Sequence, residues 1–233
     1  MKPAATVPSS ADAAFATTRW SLASARSDSA REALNALCLR YRYPVYAYLR
    51  RRGQAPNAAQ DTTRAFFEQL AHARPGGAEW AARRFREFLF ARLCDFLGGG
   101  QRAPAEDTQA RARGEACAAD DPARAFERGF ALAVLTRGLR HLRDEASESG
   151  HLEMFDALEP YLAREPAVGA LEAASARLGA RPLALALALC RLRQRFRELC
   201  DAELADTVRG APDLAAERRT LQHALDAEAR HAA

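Results

Sequence analysis

Apolar positions recur at a helical period through most of the chain, and the interruptions divide it into segments. Between Arg31 and Arg52 the residues Leu34, Leu37, Tyr41, Val45 and Leu49 fall on one side, which predicts a first helix, kinked at Pro44 and stopped at Gly53. Pro56-Asn57 opens a second helix with Thr63, Phe66, Phe67 and Leu70 along one face, closed by Pro75-Gly76-Gly77. A third helix is expected from about Glu79 to Leu97, with the stripe Phe85, Phe88, Leu89, Leu93, Phe96 and Leu97, and Gly98-Gly99-Gly100 ends it. These helices make a first domain over residues 29–100. Residues 1–28, rich in Ala, Ser and Thr, predict a flexible N-terminal arm that Phe15 and Trp20 could anchor in part.

Residues 101–127, with Pro104, Gly114, Pro122 and scattered charges, lose the period and are expected to form a flexible linker. The period then resumes. Phe130, Val134, Leu139 and Leu142 mark one helix, and Leu152, Phe155, Leu158 and Leu162 mark another that ends before Pro166. Leu171 to Leu178 predicts a short helix, Gly179-Ala180-Arg181 a tight turn, and Pro182 the first residue of a long helix reaching Val208. Two helices joined by so short a turn follow helix-turn-helix grammar, in a second domain over residues 128–209. Residues 210–233 are expected to form a polar C-terminal helix or tail.

Composition narrows the fold class. The chain of 233 residues has no Ile and five scattered Val, so runs suited to strands are missing and an all-α fold of two small helical domains follows. Lys2 is the only lysine among 34 basic residues, which makes every other cation an arginine. A formal net charge of +4 permits phosphate neutralisation without demonstrating it, so the placement of the arginines matters more than their number. The five cysteines are odd in number and lack CxxC spacing, and His72, His141, His151, His223 and His231 lack metal-ligand spacing. A reducing, cytoplasmic setting without a metal or other cofactor is expected. No segment has the pattern of a signal peptide or a membrane span, and no nucleophile, base or metal constellation suggests an enzyme.

Several short motifs share an order with a known family. They are Thr17-Thr18-Arg19-Trp20-Ser21-Leu22, Tyr43-Pro44-Val45-Tyr46-Ala47-Tyr48 followed by Arg50-Arg51-Arg52-Gly53, and Gln60-Asp61-Thr62-Thr63 leading into Phe66-Phe67. Arg84-Phe85-Arg86-Glu87-Phe88-Leu89 and Arg191-Leu192-Arg193-Gln194-Arg195-Phe196-Arg197-Glu198-Leu199 follow. In this order the chain resembles the sigma-70 family of RNA polymerase factors, in its extracytoplasmic-function (ECF)-like branch, with a divergent region four.

The resemblance implies that the first domain is sigma region two, which binds the β′ coiled coil of core RNA polymerase and opens promoter DNA. It implies that the second is region four, a helix-turn-helix near the β flap. By position, Asp61, Phe67 and Glu68 would contact polymerase. Arg83, Arg84, Arg86, Phe90 and Arg92 would face DNA from the third helix, and Arg181, Arg191, Arg193 and Arg197 from the second domain. For Asp61 and Glu68, capping and intrahelical pairing remain open alternatives. Some relatives are coupled to Ser/Thr kinases, so a phosphate on Thr62 or Thr63 could supply negative charge near Asn57, where the family often has an acid.

The long helix departs from the family. With Leu192 central to the buried side, Leu185, Leu189, Phe196 and Leu199 share its face, while Leu183, Ala186, Leu187 and Cys190 point outward. Base edges are read by polar groups, so weak sequence reading, or capture of this domain by a regulatory partner such as an anti-sigma factor, is expected. Two functions are carried forward: a promoter-directing sigma-like factor, and a sigma-derived regulator that binds polymerase or another regulator without reading promoters.

Overall fold

The computed structural model describes residues 18–24, 29–72, 83–100 and 121–229. Among them every regular element is helical, and no strand occurs. The elements are α1 (Arg19–Ser24), α2 (Ala30–Arg40), α3 (Arg42–Arg51), α4 (Pro56–His72), α5 (Phe85–Gly100), α6 (Pro122–Glu148), α7 (Leu152–Leu158), a 3-10 turn (Glu159–Tyr161), α8 (Ala170–Leu178), α9 (Pro182–Ala205) and α10 (Ala211–Ala229). The chain divides into unit 1, Met1–Ala133 with Leu204–Ala233, and unit 2, Val134–Glu203, so both boundaries fall inside helices.

Where these elements differ from the expected ones, the cause is local. The first helix is two, broken at Tyr41, whose φ of −113° and ψ of 37° leave the helical region. Pro44 then sits in the first turn of α3, where its missing N–H costs no hydrogen bond. Residues 122–127, given to the linker by the sequence reading, form the first turns of α6, with Asp121 accepting a 2.9 Å bond from the Ala123 amide and Pro122 at the first helical position. The rest of that linker, most of the arm with Phe15, and Cys117 lie outside the described residues.

In unit 1 the short helix α1 is capped by Thr18, whose Oγ1 accepts from the Ser21 amide at 3.2 Å. The same hydroxyl donates to the Val208 carbonyl at 2.9 Å, although 190 residues separate the two in sequence. The Trp20 amide donates to the Asp206 carbonyl at 2.9 Å, and the Phe85 amide to the Thr207 carbonyl at 3.0 Å. The Asp206 carboxylate pairs with Arg19 at 3.1 Å and with Arg40 at 2.9 Å. The segment after α9 therefore fills backbone valences that α1 and the start of α5 would otherwise leave open in a buried place.

Around this seam lies an aromatic core. Trp20 is fully buried, its ring centre 5.4 Å from Phe85 and 5.1 Å from Phe88, and its Nε1 donates to the Arg83 carbonyl at 2.8 Å. Tyr41 stacks on Phe130 of α6 at 4.4 Å with the planes 8° apart. Gly129 permits that approach, because a Cβ there would meet the Pro44 Cα at 2.9 Å. Into this apolar setting α10 brings Glu217, with none of its surface exposed, where it binds Arg86 and Arg84. The C-terminal stretch expected as a polar helix or tail is thus a helix with one buried face, including Leu221.

Unit 2 has two apolar clusters. Leu158, Ala174, Leu185 and Leu189 form one, and Leu142, Ala146 and Phe155 the other, with Leu162 and Leu192 packed against both. Gly179, with φ of +64°, ends α8, and α9 starts at Pro182. The two helices are bent 105° from one another, within the range of helix-turn-helix pairs. Burial pushes the Cys200 thiol up to about 12, where it faces the close approach at Gly138.

Removing the buried carboxylate should weaken unit 1 strongly. Glu217→Ala leaves two guanidinium groups facing each other, so urea unfolding is expected to show a loss of about 3–5 kcal/mol. The control Glu198→Gln, at an exposed position, should stay within about 0.5 kcal/mol of wild type. A loss below about 1 kcal/mol for Glu217→Ala would remove the ion-pair account.

Candidate functional site

Helix α4 turns Ala59, Thr63, Phe66, Phe67 and Leu70 inward and leaves Asp61, Arg64 and Glu68 exposed. Asp61 lies 3.9 Å from Arg64, one turn on, in an exposed pair that holds neither side chain firmly. Glu68 uses only its backbone carbonyl locally, 2.6 Å from His72 Nδ1, so that ring nitrogen carries the proton. Phe67 is buried against Phe66, with the Arg42 guanidinium 5.9 Å from its ring centre, and so packs inward where a polymerase contact was expected. The expected phosphate acceptor Thr63 is corrected too. It is buried, and its hydroxyl donates to the Ala59 carbonyl at 2.6 Å, so a phosphate there would have to undock the helix. Thr62 is half-buried.

The arginines near α5 divide into two sets. Arg83 precedes the helix and is exposed. Arg86 was expected to face DNA, yet it is only 7% exposed. Its Nε lies 2.6 Å from one Glu217 oxygen, a second nitrogen lies 3.3 Å from the other, and a third contact reaches Glu127 at 3.2 Å. Arg84 joins the same network, 3.1 Å from Glu217 and hydrogen-bonded to Glu87. The physical reason is that a buried carboxylate requires close opposite charge, which these two forks supply.

Burial pushes the Arg84 guanidinium down, but the Glu87 hydrogen bond and the charges of Glu217, Glu87 and Asp213 outweigh it and hold the group above its ordinary value. Burial likewise pushes the Glu87 carboxyl up, and the hydrogen bond and charge of Arg84 overcome that and hold it below the usual range. Phe90, expected to stack on bases, is half-buried between Tyr48 at 5.7 Å and Phe126 at 5.0 Å. Arg92 lies 5.6 Å from the Phe88 ring centre and 3.8 Å from Asp95.

In unit 2, Arg181, Arg191 and Arg197 are exposed, and Arg197 donates to Gln194 at 3.2 Å. Arg193 is not available in the same way. Its guanidinium donates to the Tyr161 carbonyl at 3.0 and 2.9 Å and to the Arg164 carbonyl at 2.7 Å, and it pairs with Glu165 at 2.8 Å, fastening the loop after the 3-10 turn. Along α9, Leu183 is 72% and Leu187 54% exposed, and Cys190 is exposed beside them. Ala186 is half-buried, so the outward apolar face is narrower than expected. Arg195 binds Glu145 at 2.6 Å, and that hydrogen bond holds the Glu145 carboxyl below the usual range.

Sequence reading missed the partners Glu217, Glu127 and Asp206, and one cleft of about 380 Å³ in unit 1 lined by Tyr43, Tyr46, Arg50, Arg51 and Arg128. A signal for Glu217 existed. It falls at helical spacing with Leu214 and Leu221, a carboxylate in a core register. Among the described residues no group of three or more His, Cys, Asp or Glu side chains is arranged to hold a metal ion, and no single helix is long and apolar enough to cross a membrane.

Arg86→Ala and Arg193→Ala should lower the thermal midpoint, whereas Arg83→Ala and Arg191→Ala should change stability by less than about 0.5 kcal/mol. Equal effects from the two pairs would contradict the division drawn here. The lowered carboxyls of Glu87 and Glu145 add stability that is present above the ordinary carboxylate range and is lost as pH falls through their depressed values. Acid titration of Glu87→Gln and Glu145→Gln should therefore show a shallower loss than wild type. No protein-family model, curated protein or solved structure matches this chain.

Proposed function

We propose that the chain is a sigma-like transcription factor, acting in the cytoplasm, that binds core RNA polymerase through the outward face of α4 and brings it to promoter DNA. The observation that carries this reading is the division of α4. Five residues anchor it, while Asp61 and Glu68 stand clear of the core beside an exposed surface, as carboxylates meeting a basic partner would. The motif order from Thr17 to Leu199 in the sequence supports the same assignment. DNA contact then falls to Arg83, Arg181, Arg191 and Arg197, which act on phosphates and not on base edges. The reading is non-enzymatic.

A second reading is favoured by a specific observation. The exposed Leu183 and Leu187 supply no hydrogen-bond discrimination where a recognition helix would read bases, and Arg86 and Arg193 are engaged internally. On this reading the chain is a polymerase-binding regulator that does not select promoters, and the apolar face of α9 receives an anti-sigma factor or another regulatory protein. A Ser/Thr kinase acting on Thr62 would fit either reading.

Purified full-length chain mixed with core RNA polymerase should co-elute with it. Asp61→Arg combined with Glu68→Arg should weaken that binding at least about tenfold, near 1.4 kcal/mol, without lowering the thermal midpoint. Transcription from genomic fragments with discrete start sites supports the first reading, and co-elution without initiation supports the second. Failure to co-elute removes both.

A further inference from the structure

A cleft of about 330 Å³ lies wholly within unit 2, lined by the end of α6, the start of α7 and the middle of α9. Its floor is the apolar cluster of Leu142, Ala146 and Phe155, against which Leu192 packs from α9. Space opens there because Ser149 and Ala188 on the lining are short, while Gly150, at φ +72°, turns the chain from α6 towards α7. An apolar cavity of about 150 Å³ takes benzene, so this one has room for a longer hydrocarbon. Its volume lies within the range of small-ligand pockets.

The polar groups of the lining differ in what they have left to give. Arg195 spends its guanidinium on Glu145, at 2.9 and 2.6 Å, and on Glu198, at 3.1 Å. That pairing also offsets the charge of Glu145, the carboxylate of the lining. The Ser149 hydroxyl is turned back to the Glu145 and Ala146 carbonyls, at 2.8 and 3.2 Å. Arg191 stands one turn before Arg195 on α9, exposed, and its side chain pairs with none of the described residues. His151 precedes α7 without capping it through its ring, so an imidazole N–H is uncommitted as well.

A hydrocarbon floor with an uncommitted fork at its edge is complementary to an amphiphile. The tail leaves water for the floor, and a carboxylate meets the guanidinium with two parallel hydrogen bonds. A neutral apolar ligand would leave Arg191 unused. A multiply charged head would meet the carboxylates of Glu145 and Glu198 close by, which favours a single charge.

We propose that this cleft binds a medium-chain aliphatic monocarboxylate, its tail on Leu142, Ala146, Phe155 and Leu192 and its carboxylate held by Arg191 and His151. The site does not rest on the polymerase reading. Where both hold, the bound acid takes up an arginine assigned above to DNA phosphate.

Calorimetric titration of the full chain with sodium octanoate, below its micelle concentration, tests the site beside sodium butyrate and 1-octanol. Octanoate should bind saturably at one site per chain. It should bind at least about tenfold more tightly than butyrate, because each buried CH2 adds to the transfer free energy, and more tightly than 1-octanol, which carries no charge. Arg191→Gln, at an exposed position, should keep the wild-type thermal midpoint, weaken octanoate about tenfold and leave 1-octanol unchanged. Ala188→Met, which fills the cleft, should weaken both ligands. No saturable binding of octanoate, butyrate binding as tightly as octanoate, or wild-type octanoate affinity in Arg191→Gln would overturn the proposal. The first of these results would leave the cleft to an apolar side chain of a partner protein. A chain that binds octanoate as described but does not co-elute with core polymerase keeps this site and loses that reading.

Discussion

A carboxylate with no exposed surface governs unit 1. An ionised group cannot stay in an apolar interior unless opposite charge lies against it, and Glu217 meets that condition through Arg86 and Arg84. Two cations on one anion would leave an excess, which Glu127 from α6 and Glu87 from the first turn of α5 offset. The geometry is directional. Arg86 presents its fork to both Glu217 oxygens, so α10 must lie in one register against the start of α5. A lysine would supply a point charge but not that alignment, and the near absence of lysine from this sequence means that its buried cations are all forks.

The same requirement explains the segment between α9 and α10. Asp206 serves Arg19 and Arg40, while its carbonyl and those of Thr207 and Val208 accept from Trp20, Phe85 and Thr18. Each is a polar group in or near a buried seam that water does not reach freely, and each is satisfied by a residue far away in sequence. The Thr18-Arg19-Trp20 block therefore does structural work. Its hydroxyl, guanidinium, amide and indole N–H are all committed to holding the C-terminal segment and the start of α5.

Much of this was legible in the sequence. The helical character, the stops at Gly53 and Gly179, and the buried stripe of Phe85, Phe88, Leu89 and Leu93 come from periodicity and backbone chemistry, which are local. The placements that failed involve partners distant in sequence. Arg86 and Glu217 are 131 residues apart, and no local rule distinguishes a solvated arginine from one awaiting a buried acid. Phe90 lies off the apolar stripe of α5, and its exposure could be judged only once Phe126 of α6 was known to cover it. The long-range hydrogen bonds of residues 206–208 were invisible for the same reason.

Counting arginines would place the nucleic-acid surface along α5, where the sequence concentrates them. Accounting for their hydrogen-bond donors moves it. Arg84 and Arg86 spend theirs on Glu87, Glu127 and Glu217, and Arg193 spends its own on two carbonyls and Glu165, so none can neutralise a phosphate without giving up an internal bond. An external anion competes effectively only where internal acids are lacking, because there it gains attraction without displacing a carboxylate already in place. That condition is not met along the buried side of α5, where Glu217 already occupies the guanidinium groups of Arg86 and Arg84. Arginines at helical spacing thus separate into those that hold the fold and those that face outward, and the acids packed against them decide which is which.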